Sequence, residues 1–137
     1  MGFVYTDITL KNVKDIMKAE EGLINEAEIR HATVQAMVDT GARTLVISEA
    51  IRRQLGLELK EERRATLANK TTVMCNYTEP VDIHWKNRSC SVRALVLPDT
   101  AEILLGAIPL EDMDLIIDPA RQELTGAHGD EAVSIIY

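Results

Sequence analysis

Aromatic residues are scarce in this chain: one Trp, one Phe and three Tyr among 137 residues. Its core must therefore be built from Leu, Ile, Val, Ala and Met. Cysteine is scarce too. Cys75 and Cys90 have no metal-ligand spacing and form no Cys-x-x-Cys pair. Two small semi-buried thiols are expected rather than a bridge or a nucleophile. No apolar run approaches the roughly 18 residues that span a bilayer. The opening "MGFVYTDITLK" lacks the basic and long apolar regions of a secretory signal. A cytoplasmic location with free thiols and no membrane partner is the resulting expectation. An excess of positive charge is also missing. The net charge of -7 argues against a nucleic-acid partner, which needs a clustered basic surface. Arg52, Arg53, Lys60, Arg63 and Arg64 are interleaved with Glu49, Glu58, Glu61 and Glu62, which reads as a solvated mixed face. His31, His84 and His128 share no ligand spacing, so no metal and no cofactor is expected. Repeats, low-complexity tracts and long linkers are absent, and the length fits one domain over 1–137.

What is present is a succession of short alternating segments. In "FVYTDITLK", Val4, Ile8 and Leu10 share a face, which predicts a strand. "VKDIMKAEEGLINEAEIR" is polar and helix-favouring, and reads as a loop with a helical turn. "RHATVQAMVD" puts Ala32, Val34, Ala36 and Val38 on one face and predicts a strand ending at Asp39. After the β-branched run "TLVI", Ser48 is placed as an N-cap, Glu49 suits the first turn, and Gly56 marks the helix stop. "RRATLANKTTVMC" reads as a hairpin turning at Asn69-Lys70. "PVDIHW" and "SCSVRALVLP" form another around "KNR", with Val81, Ile83 and Trp85 on one face. "EILLG" is a short buried strand, and Pro109 is placed at the opening of a short helix through Met113. "DLIID", "RQELTG" and "AVSIIY" are three further strands. Met17, Met37, Met74 and Met113 are expected as core filler. The fold class is mainly β and antiparallel, with two short helices.

The segment "AMVDTGARTLVI" carries the chemistry. An apolar strand ends at Asp39; Thr40, Gly41 and the small Ala42 follow, and a β-branched run leads into a helix. Some sixty residues later a strand ends in "ILLG" and another short helix follows. A tripeptide alone is weak evidence, but this context and spacing resemble the retropepsin-like aspartic proteases, the family of the retroviral proteases and their bacterial relatives. "VDTGA" is similar to that family's active-site signature. Leu104, Leu105 and Gly106 resemble the element that supports the active-site loop from behind. "LLGAIPLEDMDLIIDP" is similar to the ending of the bacterial members. The likeness covers about residues 29 to 125.

The resemblance implies a closed antiparallel barrel and an aspartic endopeptidase. Two carboxylates a hydrogen bond apart cannot both ionise, so they share one proton. The ionised one takes a proton from the attacking water and the other donates to the developing oxyanion. The implied roles are catalysis for Asp39, loop shaping for Thr40, Gly41 and Ala42, and bracing of two loops by the Thr40 hydroxyls. Gly41 is expected to let the loop turn tightly and to bring backbone N–H groups near the carboxylate. "PDTAEI" offers Asp99-Thr100 followed by alanine, out of position, so one chain supplies one such loop. A homodimer with a two-fold axis through the site is implied, acting on a peptide or protein substrate. Ala68, Asn69, Lys70 and Thr71 fall where the flap of the family lies, without its glycine-rich tip. Arg43 stands where the retroviral members carry an acidic residue. Two other readings stay open beside this one: a non-catalytic peptide-binding or assembly module on the same fold, and a plain Asp-Thr-Gly turn.

Overall fold

Alternation of apolar and polar residues builds the sheet. The computed structural model describes residues 3–97 and 102–136. In β1 (Tyr5–Asn12) Ile8 and Leu10 are buried, and in β2 (His31–Val38) Ala32, Ala36 and Val38 are buried. The two pair antiparallel, with Ile8 opposite Val34. A short buried strand, β3 (Leu45–Ile47), is followed at once by Ser48, whose hydroxyl accepts the Ile51 N–H and caps a helix at Glu49–Leu55. That helix, α2, follows α1 (Val13–Glu20) and ends at Gly56 in the left-handed conformation, φ 64°. Then come β4 (Leu59–Thr66), the long β5 (Thr72–Trp85) and β6 (Arg88–Val96). The chain ends with β7 (Leu104–Leu105), α3 (Ala107–Asp112), β8 (Leu115–Asp118) and β9 (Glu123–Gly126).

Seven strands form one sheet in the order β1-β2-β7-β3-β6-β5-β4, and β1 also pairs with β5, so the ladder returns to its first strand. Strand β4 lies outside that circuit. Most pairings are antiparallel, but β2–β7 and β3–β6 are parallel. The enclosed core is aliphatic: Leu10, Leu45, Ile47, Leu55, Val81, Ile83 and Leu105 are fully buried. Trp85 joins them and donates its indole N–H to Thr6 Oγ1 at 2.8 Å. Cys75 and Cys90 are free and buried, and burial pushes the Cys90 thiol up to about 12, as expected of inert thiols.

Strand β5 is continuous through a bulge. Its register against β6 slips by one residue between Tyr77 and Pro80. The Thr78 hydroxyl takes the Ala94 N–H at 3.1 Å and itself donates to the Glu79 carbonyl at 2.7 Å. The buried Glu79 carboxylate accepts the Glu58 N–H and faces Lys14 Nζ at 3.4 Å. Proline beside the bulge needs no ladder donor.

Several sequence expectations are corrected. The polar 13–28 stretch is a full two-turn helix plus a 3-10 turn at Glu26–Glu28, because Asn12 caps it and Asp15 is buried under it. The α3 helix begins at Ala107, two residues before Pro109; Pro109 sits in the first turn, where its missing N–H costs nothing. Residues 132–136 form no strand. The Asp114 carboxylate takes the Val133 N–H and contacts His128 at 2.7 Å, which holds this end of the chain beside β8 without a ladder. Met113 is buried, but Met17 and Met74 are exposed, one on the outside of α1 and one on the β4–β5 hairpin. Asp99-Thr100 lies outside the described residues. Among the described residues no helix is long and apolar enough to cross a membrane.

Asp15 is the electrostatic pin of the α1 region. Arg30 reaches it with Nε at 2.8 Å, Nη2 at 2.9 Å and its backbone N–H at 3.0 Å. The Arg30 side-chain bond holds the carboxyl below its ordinary value. A depressed folded pKa adds stability above the unfolded value and loses it as pH falls through the folded one. Asp15→Asn is expected to cost about 1–2 kcal/mol at neutral pH, allowing for the half-exposed Arg30. Urea melts of both chains check this: the gap between them closes in strong acid.

Candidate active site

Strand β2 carries its pairing with β7 one bond past Val38, where the Asp39 N–H donates to the Leu105 carbonyl at 3.0 Å. The chain then turns on itself. Asp39 Oδ1 accepts the Gly41 N–H at 2.9 Å, and the Ala42 N–H donates to the Asp39 carbonyl at 3.1 Å. This is the backbone N–H beside the carboxylate that the motif led one to expect. Gly41 is absent from the residues with positive φ, so its role is close approach rather than a left-handed turn. A Cβ there would lie 3.1 Å from Asp39 Oδ1. The second oxygen, Oδ2, accepts no hydrogen bond from the described residues, and the side chain is half-buried.

The loop is clamped from behind. Ala107 N–H donates to the Ala42 carbonyl and Ile108 N–H to the Arg43 carbonyl, both at 2.9 Å. These are first-turn amides of α3, so the Asp39 loop does the work of an N-cap side chain. Gly106 sits between them; a Cβ on it would meet Ala42 O at 2.7 Å and Thr44 N at 2.8 Å. Thr44 Oγ1 donates to the Arg93 carbonyl at 3.0 Å and ties the far end of the loop to β6. Leu104, Leu105 and Gly106 thus lie against the Asp39 loop. Leu105 is fully buried.

Thr40 is exposed, and its hydroxyl has no partner among the described residues. It borders a largely apolar cavity of about 330 Å³ with Ala107, Leu115 and Ile116, and Ile116 is half exposed. The Ala68, Asn69, Lys70 and Thr71 tip turns with Lys70 at φ 67°, and Asn69 Oδ1 takes both the N–H and the hydroxyl of Thr71. All four tip residues are exposed, and they make no hydrogen bond to the Asp39 loop among the described residues. The structure therefore joins the Asp39 loop to the 104–106 element but not to the hairpin tip.

Sequence reasoning passed over Tyr77 and Arg93 and assigned Arg63 to a solvated face. The Arg63 and Arg93 guanidiniums lie 4.5 and 4.9 Å from the Tyr77 ring centre. Only the register, with Glu61 opposite Tyr77, brings them together, and no local spacing signals it. A cavity of about 600 Å³ lies under α1 with His31, Asp82 and His84 and shares no residue with the Asp39 loop. Among the described residues no cluster of three His, Cys, Asp or Glu side chains is placed to hold a metal.

A family model described as "gag-polyprotein putative aspartyl protease" matches residues 25–112. No curated protein matches the chain significantly in sequence. Among solved structures, the EIAV protease in complex with the inhibitor HBY-793 is similar at 21% identity and TM-score 0.54, over 81% of this chain and 88% of that one. The retroviral protease-like domain of Ddi1 from Leishmania major is similar at 15% identity and TM-score 0.55, over 91% and 88%. A retropepsin-like aspartic protease from Rickettsia conorii is similar at 22% identity and TM-score 0.48, over 85% of each chain. At these identities the likeness is one of fold, and the fold is mainly β and retropepsin-like.

Gly106→Ala tests the clamp. The added methyl meets backbone rather than a yielding side chain, so the Asp39 loop must move. A loss of about 3 kcal/mol is expected in chemical denaturation, with faster amide exchange at Ala107 and Ile108.

Proposed function

The chain belongs to this gag-polyprotein aspartyl protease family, and on that premise we propose that it is an aspartic endopeptidase completed by a second copy of itself. The observation that carries the reading is Asp39: a carboxylate at a strand end, fixed by Gly41 through one oxygen, with the other oxygen free of bonds from the described residues. The sequence contains one Asp-Thr-Gly, so the second carboxylate comes from a second chain. Two Asp39 carboxylates held together share a proton, and the pair titrates as a unit. The ionised member takes a proton from water as the water attacks the scissile carbonyl; the protonated member donates to the oxyanion. Thr40, exposed and unbonded in one chain, braces the loops against each other. The half-exposed Ile116 and the apolar cavity beside Thr40 support a covered surface at this edge.

Substrate binds as an extended peptide between the dyad and the hairpin carrying Ala68, Asn69, Lys70 and Thr71, pairing with strand edges. Among the described residues strand β4 pairs only with β5, and its other edge is open. Ala42 lies against the substrate backbone. No metal or cofactor takes part, and residues 1–137 act as one domain. The rival reading is a non-catalytic peptide-binding or assembly module on the same fold, which holds peptides without cleaving them.

Asp39→Asn keeps the loop's shape and removes the ionisable group. Peptide hydrolysis is expected to fall about a thousand-fold or more while the melting curve is kept. A variant as active as the native chain rejects the role. The native rate should follow a bell-shaped pH curve with two apparent constants of the pair. A binding assay alongside the hydrolysis assay separates the rival, which predicts that bound peptide is recovered intact. In amide exchange, residues 68–71 are expected to exchange fast in the free protein and slower with a bound transition-state mimic. Equal exchange in both states rejects the flap.

A further inference from the structure

We propose that Arg43, Arg63 and Arg93 form a subsite that selects a substrate residue with a carboxylate side chain. The cleavage part of this inference rests on the reading of Asp39 given above; the binding part does not. The three arginines come from three places. Arg43 lies in the Asp39 loop, Arg63 on β4 and Arg93 on β6, and together with Tyr77 and Ile108 they border a cavity of about 280 Å³. Two of the three are already held. Arg63 and Arg93 flank the Tyr77 ring at 4.5 and 4.9 Å, and both pair with Glu61, Arg63 Nε at 2.9 Å and Arg93 Nη1 at 3.0 Å. Aromatic face and shared carboxylate fix the two guanidiniums before any ligand arrives.

Arg43 is different. It is exposed and has no ion-pair partner among the described residues, yet its backbone is fixed by the Ile108 N–H at 2.9 Å. Three guanidiniums face one carboxylate, so the cavity is positive within a chain of net charge -7. An incoming carboxylate finds in Arg43 a planar, two-pronged donor that surrenders no existing partner. The placement makes this a matter of substrate. Arg43 is four residues past Asp39, and β4 has an open edge among the described residues. A peptide lying across Asp39 and along that edge carries one side chain into the cavity.

The test uses matched peptides that differ only by Glu or Gln at one position, scanned along both sides of the cleaved bond. At one position the Glu peptide is expected to be cleaved with about ten-fold higher kcat/KM, a ratio that shrinks at high salt. The ratio should approach one in Arg43→Gln and fall below one in Arg43→Glu. Equal rates for Glu and Gln at every position overturn the subsite and leave the protease reading intact. Should no peptide be cleaved, that reading fails instead, and binding of fluorescein-labelled peptides to the Asp39→Asn chain decides the subsite. About ten-fold tighter binding of the Glu peptide, lost in both Arg43→Gln and Arg93→Gln, supports it. Equal affinities overturn it.

Discussion

The wedge of β7 between β2 and β3 is the constraint on which the site depends. Two residues, Leu104 and Leu105, run parallel to β2 and antiparallel to β3. A strand this short contributes little burial. Its importance is geometric, because it holds the two ends of the Asp39 loop apart and satisfies the Asp39 N–H at the point where the strand stops. The next residue must then pass between the Ala42 carbonyl and the Thr44 backbone, which leaves no room for a Cβ. From there α3 starts with its first amides already bonded to the loop. Loop, wedge and helix are thus one hydrogen-bonded unit, and none of the three holds its shape alone.

Charge is used twice, in opposite ways. Buried acids act as fasteners. Asp15 collects three bonds from Arg30, and Glu79 takes the Glu58 N–H across the bulge. Arg88, also buried, closes the carbonyls of Met113 and Gly129 and so seats the end of α3 against the 126–129 turn. Asp15 and Glu79 are satisfied within the fold, whereas Arg88 keeps one buried nitrogen, Nε, without a hydrogen-bond partner among the described residues. The arginines near Tyr77 carry more positive charge than Glu61 offsets, and they face solvent.

Much of the strand pattern was legible because period-two burial is a local property. The alternation of Ala32, Ala36 and Val38, the Ser48 cap with its Gly56 stop, and the turn at Asn69-Lys70 all appear where the residues suggest. What was not legible depends on partners distant in sequence. The polarity of 13–28 reads as a loop until Arg30 and Asn12 are seen to satisfy Asp15 and the helix start. The parallel pairings leave no trace in the spacing of either strand. The alternation in "AVSIIY" is real, but no strand among the described residues lies alongside to pair with it. At the site, Asp39, Gly41 and the 104–106 element could be read from their motifs; the Tyr77 cluster could not, because three strands contribute to it.

The bulge at Thr78 makes β5 a lever with its pivot inside the molecule. On one side Val81, Ile83 and Trp85 are sunk in the core; on the other the strand runs out to Thr72, where the turn through Asn69 begins. That outer strand arm measures about 20 Å at ordinary strand rise, so a swing of about ten degrees at the bulge carries its end about 3.5 Å. The pivot is fastened to its surroundings by a few named bonds: Thr78 to Ala94, Glu79 to Glu58, and Lys14 to both Glu58 and Glu79. Lys14 belongs to α1, a helix with no residue in the Asp39 loop. Small adjustments of that helix are therefore magnified at the far end of the arm, and the α1 segment sits at the mechanical root of the hairpin.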